Sequence, residues 1–517
     1  MTIKFQFYYH NSTKMRRYKT RLKMILRLSV VVISGLELTM NAAEAQQVPD
    51  AEYSPAVEKR IKAVESSLVG WVQTGDTVKW SLKERMKHYG IKGLSIAVIH
   101  HYKLEWAKGF GWADSAENRV VTTSTLFEAA SISKSINAVG LMKLVQDKEL
   151  DLYADINQYL TSWKFPYDSV SKGKKISTAN LLSHTAGLNV EDFDSYPPYL
   201  PGQPLPELVE ILKGVSPATN PAVRSLIEPG LRFMYSGGGV TITQLLVEDI
   251  THQPYVSYMY KNVLQPLGMN GTIYQPPPAD KKQMLATSYF DDGRELEGKY
   301  HNFPALAAAG LWTNPTELSK FIIEIQLSVA GMSAKVLNQR NAQLMLTPYV
   351  DSTVALGVFI EQRGNRKYFG HEGSDDGFMS QYFGSIEGGD GVVVMMNTAN
   401  VQMLEEVINS VSLVYHWEGF YQPVIKKVVA LSASELESYA GKYQFVKNKD
   451  LYLQISVKNG HLVMRTLWDK KQYDFLPESD LQFFSRSARF PLKFTKDENG
   501  ITTKVNVEQD EWDRVRE

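Results

Sequence analysis

Near residue 425 the hydrophobic pattern changes period, and the change divides the chain into two parts. Behind it, the segments Leu451–Val457, His461–Arg465, Tyr473–Leu476, Phe490–Phe494 and Thr502–Val507 alternate apolar and polar residues. Turn signals such as Lys458-Asn459-Gly460 and Asp497-Glu498-Asn499-Gly500 separate them. Alternation with period two marks strands with one buried face, and Asn-Gly suits a tight turn. Short strands at near-regular spacing predict a small antiparallel barrel or sandwich over 425–517. Tyr439, Tyr443 and Phe445 then read as its core and not as a ligand platform. With 517 residues, 44% of them hydrophobic, the chain is long enough for more than one such core.

Ahead of residue 425 helical and strand signals mix. Two amphipathic helical patterns run near 55–72 and 77–89. Leu94–His100 and about Leu104–Gly109 then read as a hairpin turning near His101–Lys103. From Ser131 to Leu150 the spacing is helical, with Val139, Met142, Leu144 and Val145 on one apolar face. Repeated prolines over 160–230 predict a helical excursion with long loops. Asn314-Pro315-Thr316-Glu317 is a helix start: a cap, proline at the first position, and Glu three residues on. Met379–Ile386 and Val392–Met396 flank Gly388-Gly389-Asp390-Gly391 as a second hairpin.

The first 45 residues bear on compartment. Basic residues from Lys14 to Arg27 precede the apolar run Leu28–Leu36, and small residues end in Ala43-Glu44-Ala45. That is the pattern of a cleaved export signal, and the apolar run falls short of the roughly 20 residues of a membrane span. Residues 1–45 are therefore expected to be a signal peptide and 46–56 a polar linker. The protein is expected to be exported, to the periplasm, with no stable span in the mature chain. Cleavage after Ala45 removes eight Lys/Arg and two Asp/Glu, leaving a net charge of minus six. The full chain has zero net charge and no Lys/Arg-dense stripe beyond the N-terminus, so nucleic acid is not an expected partner. The absence of cysteine excludes disulfides, thiolate metal sites and a cysteine nucleophile.

The chemistry begins at Ser131-Ile132-Ser133-Lys134. On a helix starting at or just before Ser131, Lys134 lies one turn along on the same face, so hydroxyl and amine can meet. Serine needs a neighbouring base to become a nucleophile, and lysine is a base only where burial or nearby positive charge lowers its pKa. The helix N-terminus adds backbone N–H groups aimed at developing negative charge. Alone, Ser-x-x-Lys is a common chance pattern, read as a capping serine and an exposed lysine.

Further motifs give it context. Ser131-Ile132-Ser133-Lys134-Ser135-Ile136-Asn137-Ala138, followed by Leu144-Val145-Gln146-Asp147-Lys148-Glu149-Leu150-Asp151-Leu152, resembles the active-site helix of the serine β-lactamase and penicillin-binding-protein family. Leu181-Leu182-Ser183-His184-Thr185-Ala186-Gly187-Leu188, Pro229-Gly230-Leu231-Arg232-Phe233-Met234-Tyr235-Ser236, Pro266-Leu267-Gly268-Met269, Ala308-Ala309-Gly310-Leu311-Trp312 and Gly370-His371-Glu372-Gly373 are similar to its later segments, in order. The resemblance spans about 90–400. It implies an α/β (α+β) fold of the β-lactamase/transpeptidase type over 57–420, an antiparallel sheet flanked by helices. It also implies that Ser131 is acylated, and that Lys134 and Tyr235 exchange its proton. The oxyanion hole would be the backbone N–H groups of Ser131 and Ser374. His371, Gly373 and Gly237 would line the substrate site, and no metal or cofactor is required. The barrel-like segment resembles one appended to many relatives.

Two positions depart from the family pattern. Tyr235-Ser236-Gly237 replaces the common Tyr-x-Asn, and His371 stands where the third motif often has Lys. The first removes a carboxamide that contacts substrate amides; the second removes a fixed charge that pairs with a carboxylate. Both weaken recognition of β-lactams and peptidoglycan peptides and fit the esterase-like and peptidase-like relatives better. The expected function is a serine hydrolase acting on ester or amide bonds of small-molecule, peptide or cell-wall-derived substrates. The alternatives are a D-amino-acid peptidase or weak β-lactamase, and a non-hydrolytic protein sensing a cell-wall ligand. His184 reads as structural, hydrogen-bonding backbone near a helix end. His371, Glu372, Asp375 and Asp376 read as turn chemistry ahead of Gly377 and not as a metal set.

Overall fold

The computed structural model describes residues 52–75, 78–190, 199–468, 470–487 and 490–515. The expected signal segment and most of the expected linker lie outside the described residues. Gly93–His100 (β1), Lys103–Asp114 (β2) and Arg119–Val120 (β3) come from one end of the larger domain. Phe359–Arg363 (β4), Arg366–Ser374 (β5), Met379–Ser385 (β6) and Gly391–Met396 (β7) come from the other. They form one antiparallel sheet in the order β3-β2-β1-β7-β6-β5-β4. Both expected hairpins are present. What joins them is β1 against β7, with Leu94 opposite Met396 and Val98 opposite Val392.

The pleat explains why these two strands are apolar throughout. Ala97, Ile99, Val393 and Met395 enter one core; Leu94, Ile96, Val98, Val392, Val394 and Met396 enter another on the opposite face. Helices Ser133–Gln146 (α3), Gly237–Thr251 (α4) and Pro315–Val329 (α5) cover the first core. Pro55–Glu65 (α1), Leu82–Tyr89 (α2) and Val401–Val414 (α6) cover the second.

Side chains set several of these boundaries. Asn314 accepts the Glu317 N–H at 2.9 Å and starts α5 as expected. The Glu317 carboxylate, however, turns to the Gly271 N–H (3.0 Å) and does not reach back to the cap. The helices expected over 55–72 and 77–89 are shorter. Leu68 bridges to Trp80, Val72–Gln73 pairs in parallel with Val424–Ile425, and a Ser81–Glu84 capping box starts α2 only at Leu82. Pairing across the chain outweighed helical spacing there. Among its described residues, the proline-rich excursion holds the short α-helices Thr178–Leu182 and Leu208–Lys213 and the 3-10 turn Ser169–Ser171 among loops.

The C-terminal segment is a closed barrel of eight antiparallel strands, which decides between the two expected forms. The strands are Gly441–Phe445, Tyr452–Lys458, His461–Thr466, Gln472–Pro477, Gln482–Phe484, Leu492–Lys496, Thr502–Val507 and Asp510–Arg514. Tyr439, Tyr443 and Phe445 lie in its core with Phe475, Phe494 and Trp512. Lys426 pairs with Glu478 at 2.8 Å, and the Arg486 guanidinium donates to the Thr74 hydroxyl. Gly70 stands between the Arg486 carbonyl and Glu406 of α6. These contacts fall on the α6 side of the sheet. Ala129 and Ile132, which flank Ser131, belong to the core on the other side.

Candidate active site

Ser131 sits in a 3-10 turn, Ala130–Ile132, that runs directly into α3. Ala130 holds a left-handed φ of 46°, a conformation that costs a non-glycine residue about 1–3 kcal/mol. Surrounding bonds hold it there. The Ser133 hydroxyl donates to the Ala130 carbonyl (2.6 Å) and accepts the Leu311 N–H (3.0 Å), and the Ala129 N–H donates to the Leu311 carbonyl (2.8 Å). The sharp turn sets Ser131 at the head of the helix, where the first N–H groups have no partner within the helix.

Lys134 lies one turn on and is buried. Its Nζ donates to Ser131 Oγ and to the Ala308 carbonyl, both at 2.8 Å. Tyr235, 104 residues away, donates its hydroxyl to the same Ser131 Oγ at 2.9 Å. The Lys134 Nζ also lies 5.0 Å from the centre of the Tyr235 ring. A serine oxygen is thus flanked by two groups, each able to accept its proton once deprotonated. The expected Ser131, Lys134 and Tyr235 are brought together.

Tyr235 is held from both sides by His184. The Met234 N–H donates to the His184 carbonyl (2.7 Å), and the Ser236 N–H donates to His184 Nδ1 (3.1 Å). Between these two bonds the rings stack, 4.2 Å apart at 28°. Burial, and then the Lys134 charge, hold His184 well below the usual histidine range. It is therefore neutral, and since Nδ1 accepts, Nε2 carries the proton. The sequence reading of a backbone-bonded histidine holds; that the backbone in question brackets Tyr235 was not legible.

His371 is 5% exposed. Burial, and then the Lys134 charge, push it down to about 3, against a raising hydrogen bond to the Glu372 carbonyl. Nδ1 lies 2.6 Å from that carbonyl, so it donates and leaves Nε2 as an acceptor. The ring packs on Phe359, with centroids 5.1 Å apart. This position offers a neutral imidazole where a cation would otherwise stand. Gly237 opens α4 behind its cap Ser236 and brings no side chain to the cleft.

The far wall is the end of β5. The Asp375 N–H bonds the Phe378 carbonyl at 3.0 Å, making those two a hydrogen-bonded pair of the ladder. Ser374, opposite Met379, is the adjoining non-bonded pair, so its N–H turns away from β6. On that side β4 pairs with β5 only as far as Gly370, which leaves the Ser374 N–H facing open cleft. Gly373 permits the approach: a Cβ there would lie 2.1 Å from the Ala129 carbonyl. The N–H groups of Ser131 and Ser374 thus come from two segments in backbone contact.

Comparison with known proteins shows the family. The β-lactamase family profile matches residues 81–410. The chain belongs to the β-lactamase family. It is a serine hydrolase of that general kind, related to penicillin-binding proteins. A domain family of unknown function matches 426–515, the barrel. Protein flp of Staphylococcus aureus is 23% identical over 375 residues, covering 69% of this chain and 68% of that protein. The octameric penicillin-binding protein homologue from Pyrococcus abyssi shares the fold with a TM-score of 0.55 at 19% identity, covering 83% of this chain and 98% of its own. The D-amino acid amidase from Ochrobactrum anthropi SV3 does so with a TM-score of 0.54 at 20% identity, covering 70% and 98%.

Proposed function

We propose that the protein is an exported acyl-enzyme hydrolase that cleaves ester or amide bonds of small or cell-wall-derived substrates, with Ser131 as nucleophile. The observation that carries this reading is the convergence of Lys134 Nζ and the Tyr235 hydroxyl on Ser131 Oγ at 2.8 and 2.9 Å. Oγ attacks the substrate carbonyl, and its proton passes to whichever of Lys134 and Tyr235 is deprotonated. The carbonyl oxygen, now negative, takes the N–H groups of Ser131 and Ser374. As the bond to the leaving alcohol or amine breaks, the same proton is returned to it. Water then repeats the sequence on the acyl-enzyme, adding across the ester carbonyl and releasing Ser131 and the acid.

Neutral His371 and the missing carboxamide at Gly237 favour neutral esters over carboxylate-bearing β-lactams. A second reading, a D-amino-acid amide hydrolase, draws on the shared fold with the amidase. The intact Ser131, Lys134 and Tyr235 speak against a purely ligand-sensing role. Intact-mass measurement after a fluorophosphonate probe tests the core of the proposal. One adduct is expected on the wild type and none on Ser131→Ala; an adduct that survives the substitution overturns it. Assays with p-nitrophenyl esters, D-amino-acid amides and a chromogenic cephalosporin separate the substrate classes. Fractionation of expressing cells tests export.

A further inference from the structure

Behind the two oxyanion donors lies a pair of carboxyl groups that the reaction scheme does not use. Glu128 stands three residues before Ser131, on a short strand opposite Trp312, and is 2% exposed. Asp375 directly follows Ser374 and is 9% exposed. The segments that carry them meet, since a Cβ on Gly373 would lie 2.1 Å from the Ala129 carbonyl, and the two buried carboxyl groups act on each other. Two ionised carboxylates can only accept, and Asp375 Oδ2 is buried with no donor facing it. A single proton between the two carboxyls supplies the missing donor.

We propose that Glu128 and Asp375 are positioning residues that share a proton and so tie the Ser131 turn to the end of β5, fixing the spacing of the two oxyanion-hole N–H groups. The inference rests on the acyl-enzyme reading and adds to it a named device and a pH limit.

The surroundings favour retention of the proton. The groups facing the pair are the Gln275 amide, 3.4 Å from Glu128, the His301 N–H on Glu128, the Asp376 N–H, 2.7 Å from Asp375 Oδ1, the Tyr300 hydroxyl, the Asp376 carboxylate, and the His301 ring, which pairs with Asp376 at 3.0 Å. None of the described side chains on the pair is a lysine or arginine. Burial first, and then the charge of Asp375, push Glu128 well above the usual carboxyl range, and burial pushes Asp375 up to about 7. Like charges at contact in an enclosed site do not both ionise near neutral pH. A raised folded pKa contributes stability that is complete at acid pH and is lost as pH rises through the folded value. When the shared proton leaves, two buried anions repel. One is anchored beside each half of the oxyanion hole, so the halves separate.

The test is the rate of Ser131 labelling by a fluorophosphonate across the pH range, in the wild type and in Glu128→Gln, Asp375→Asn and Glu128→Ala. An amide supplies a permanent donor, so the Gln and Asn variants keep the link without needing the proton. The wild-type rate is expected to rise with pH and then fall by about tenfold per unit once the shared proton is lost. Each amide variant is expected to lack that fall, and Glu128→Ala to lose at least about tenfold at every pH. The proposal is overturned if the wild type shows no alkaline fall, or if the fall persists in both amide variants. It is equally overturned if amide variants that melt cooperatively are not labelled. Should the wild type not be labelled at any pH, the acyl-enzyme reading fails instead, and thermal melting still tests the pair. The wild-type Tm must then drop between about pH 4 and about pH 8 by more than that of Glu128→Gln; an equal drop overturns the shared proton.

Discussion

Replacing His184 by phenylalanine separates the two ways in which it holds Tyr235. The phenyl ring keeps an aromatic face for the stack at 4.2 Å but removes the Nδ1 acceptor of the buried Ser236 N–H. A buried donor left without a partner costs about 1–3 kcal/mol. Relief of that cost requires the 234–236 segment to shift, and Tyr235 lies at its centre. If the Tyr235 hydroxyl must give up a comparable free energy to regain its place against Ser131 Oγ, the acylation rate falls by about 10–100-fold. The assay is steady-state kinetics on p-nitrophenyl butyrate, with stopped-flow acylation where a burst is resolved. The loss is expected in kcat, with KM changed less, and the Tm is expected to fall by a few degrees. The decisive measurement is the cycle with Tyr235→Phe. In that background the hydroxyl is already absent, so His184→Phe is expected to cost less than about threefold. If the two losses multiply in full, His184 does not act through Tyr235, and the clamp is packing alone.

Three further outcomes are expected. Tyr235→Phe lowers kcat/KM by roughly 10² or more, and Lys134→Ala does at least as much damage, since Lys134 Nζ also contacts Ser131 Oγ; near wild-type acylation in Tyr235→Phe, measured by labelling rate, would reduce the site to Ser131 and Lys134. Short-chain esters are turned over faster than cephalosporins, because His371 is held neutral down to about pH 3; a higher kcat/KM for nitrocefin-type substrates contradicts this. Truncation after Pro423 leaves a folded protein that still reacts at Ser131, because the barrel has its own core and docks on the α6 side; a truncated chain that is insoluble, or folded but unlabelled, shows the two units to be interdependent.

Features that depend on residues two to four apart were legible in the sequence. The two hairpins, the Asn314 cap, the change of period near 425 and the placement of Lys134 one turn from Ser131 are all of this kind, because pleat, helical turn and cap geometry are local. The ordered motifs added the fold and the named residues of the site. Two helix boundaries failed where long-range pairing won, as at Val72–Gln73 with Val424–Ile425. Three barrel strands, Gly441–Phe445, Gln482–Phe484 and Asp510–Arg514, were not among the alternating segments read from the sequence, although Tyr443 and Phe445 of the first read as barrel core. Tertiary structure alone decided that β1 lies against β7, that Ala308 offers its carbonyl to Lys134, that His184 brackets Tyr235, and that Glu128 meets Asp375. No local periodicity encodes such contacts. They exist because burying both faces of the central strands draws distant segments together, and burial then leaves each enclosed polar atom with only the partners that the packing brings to it.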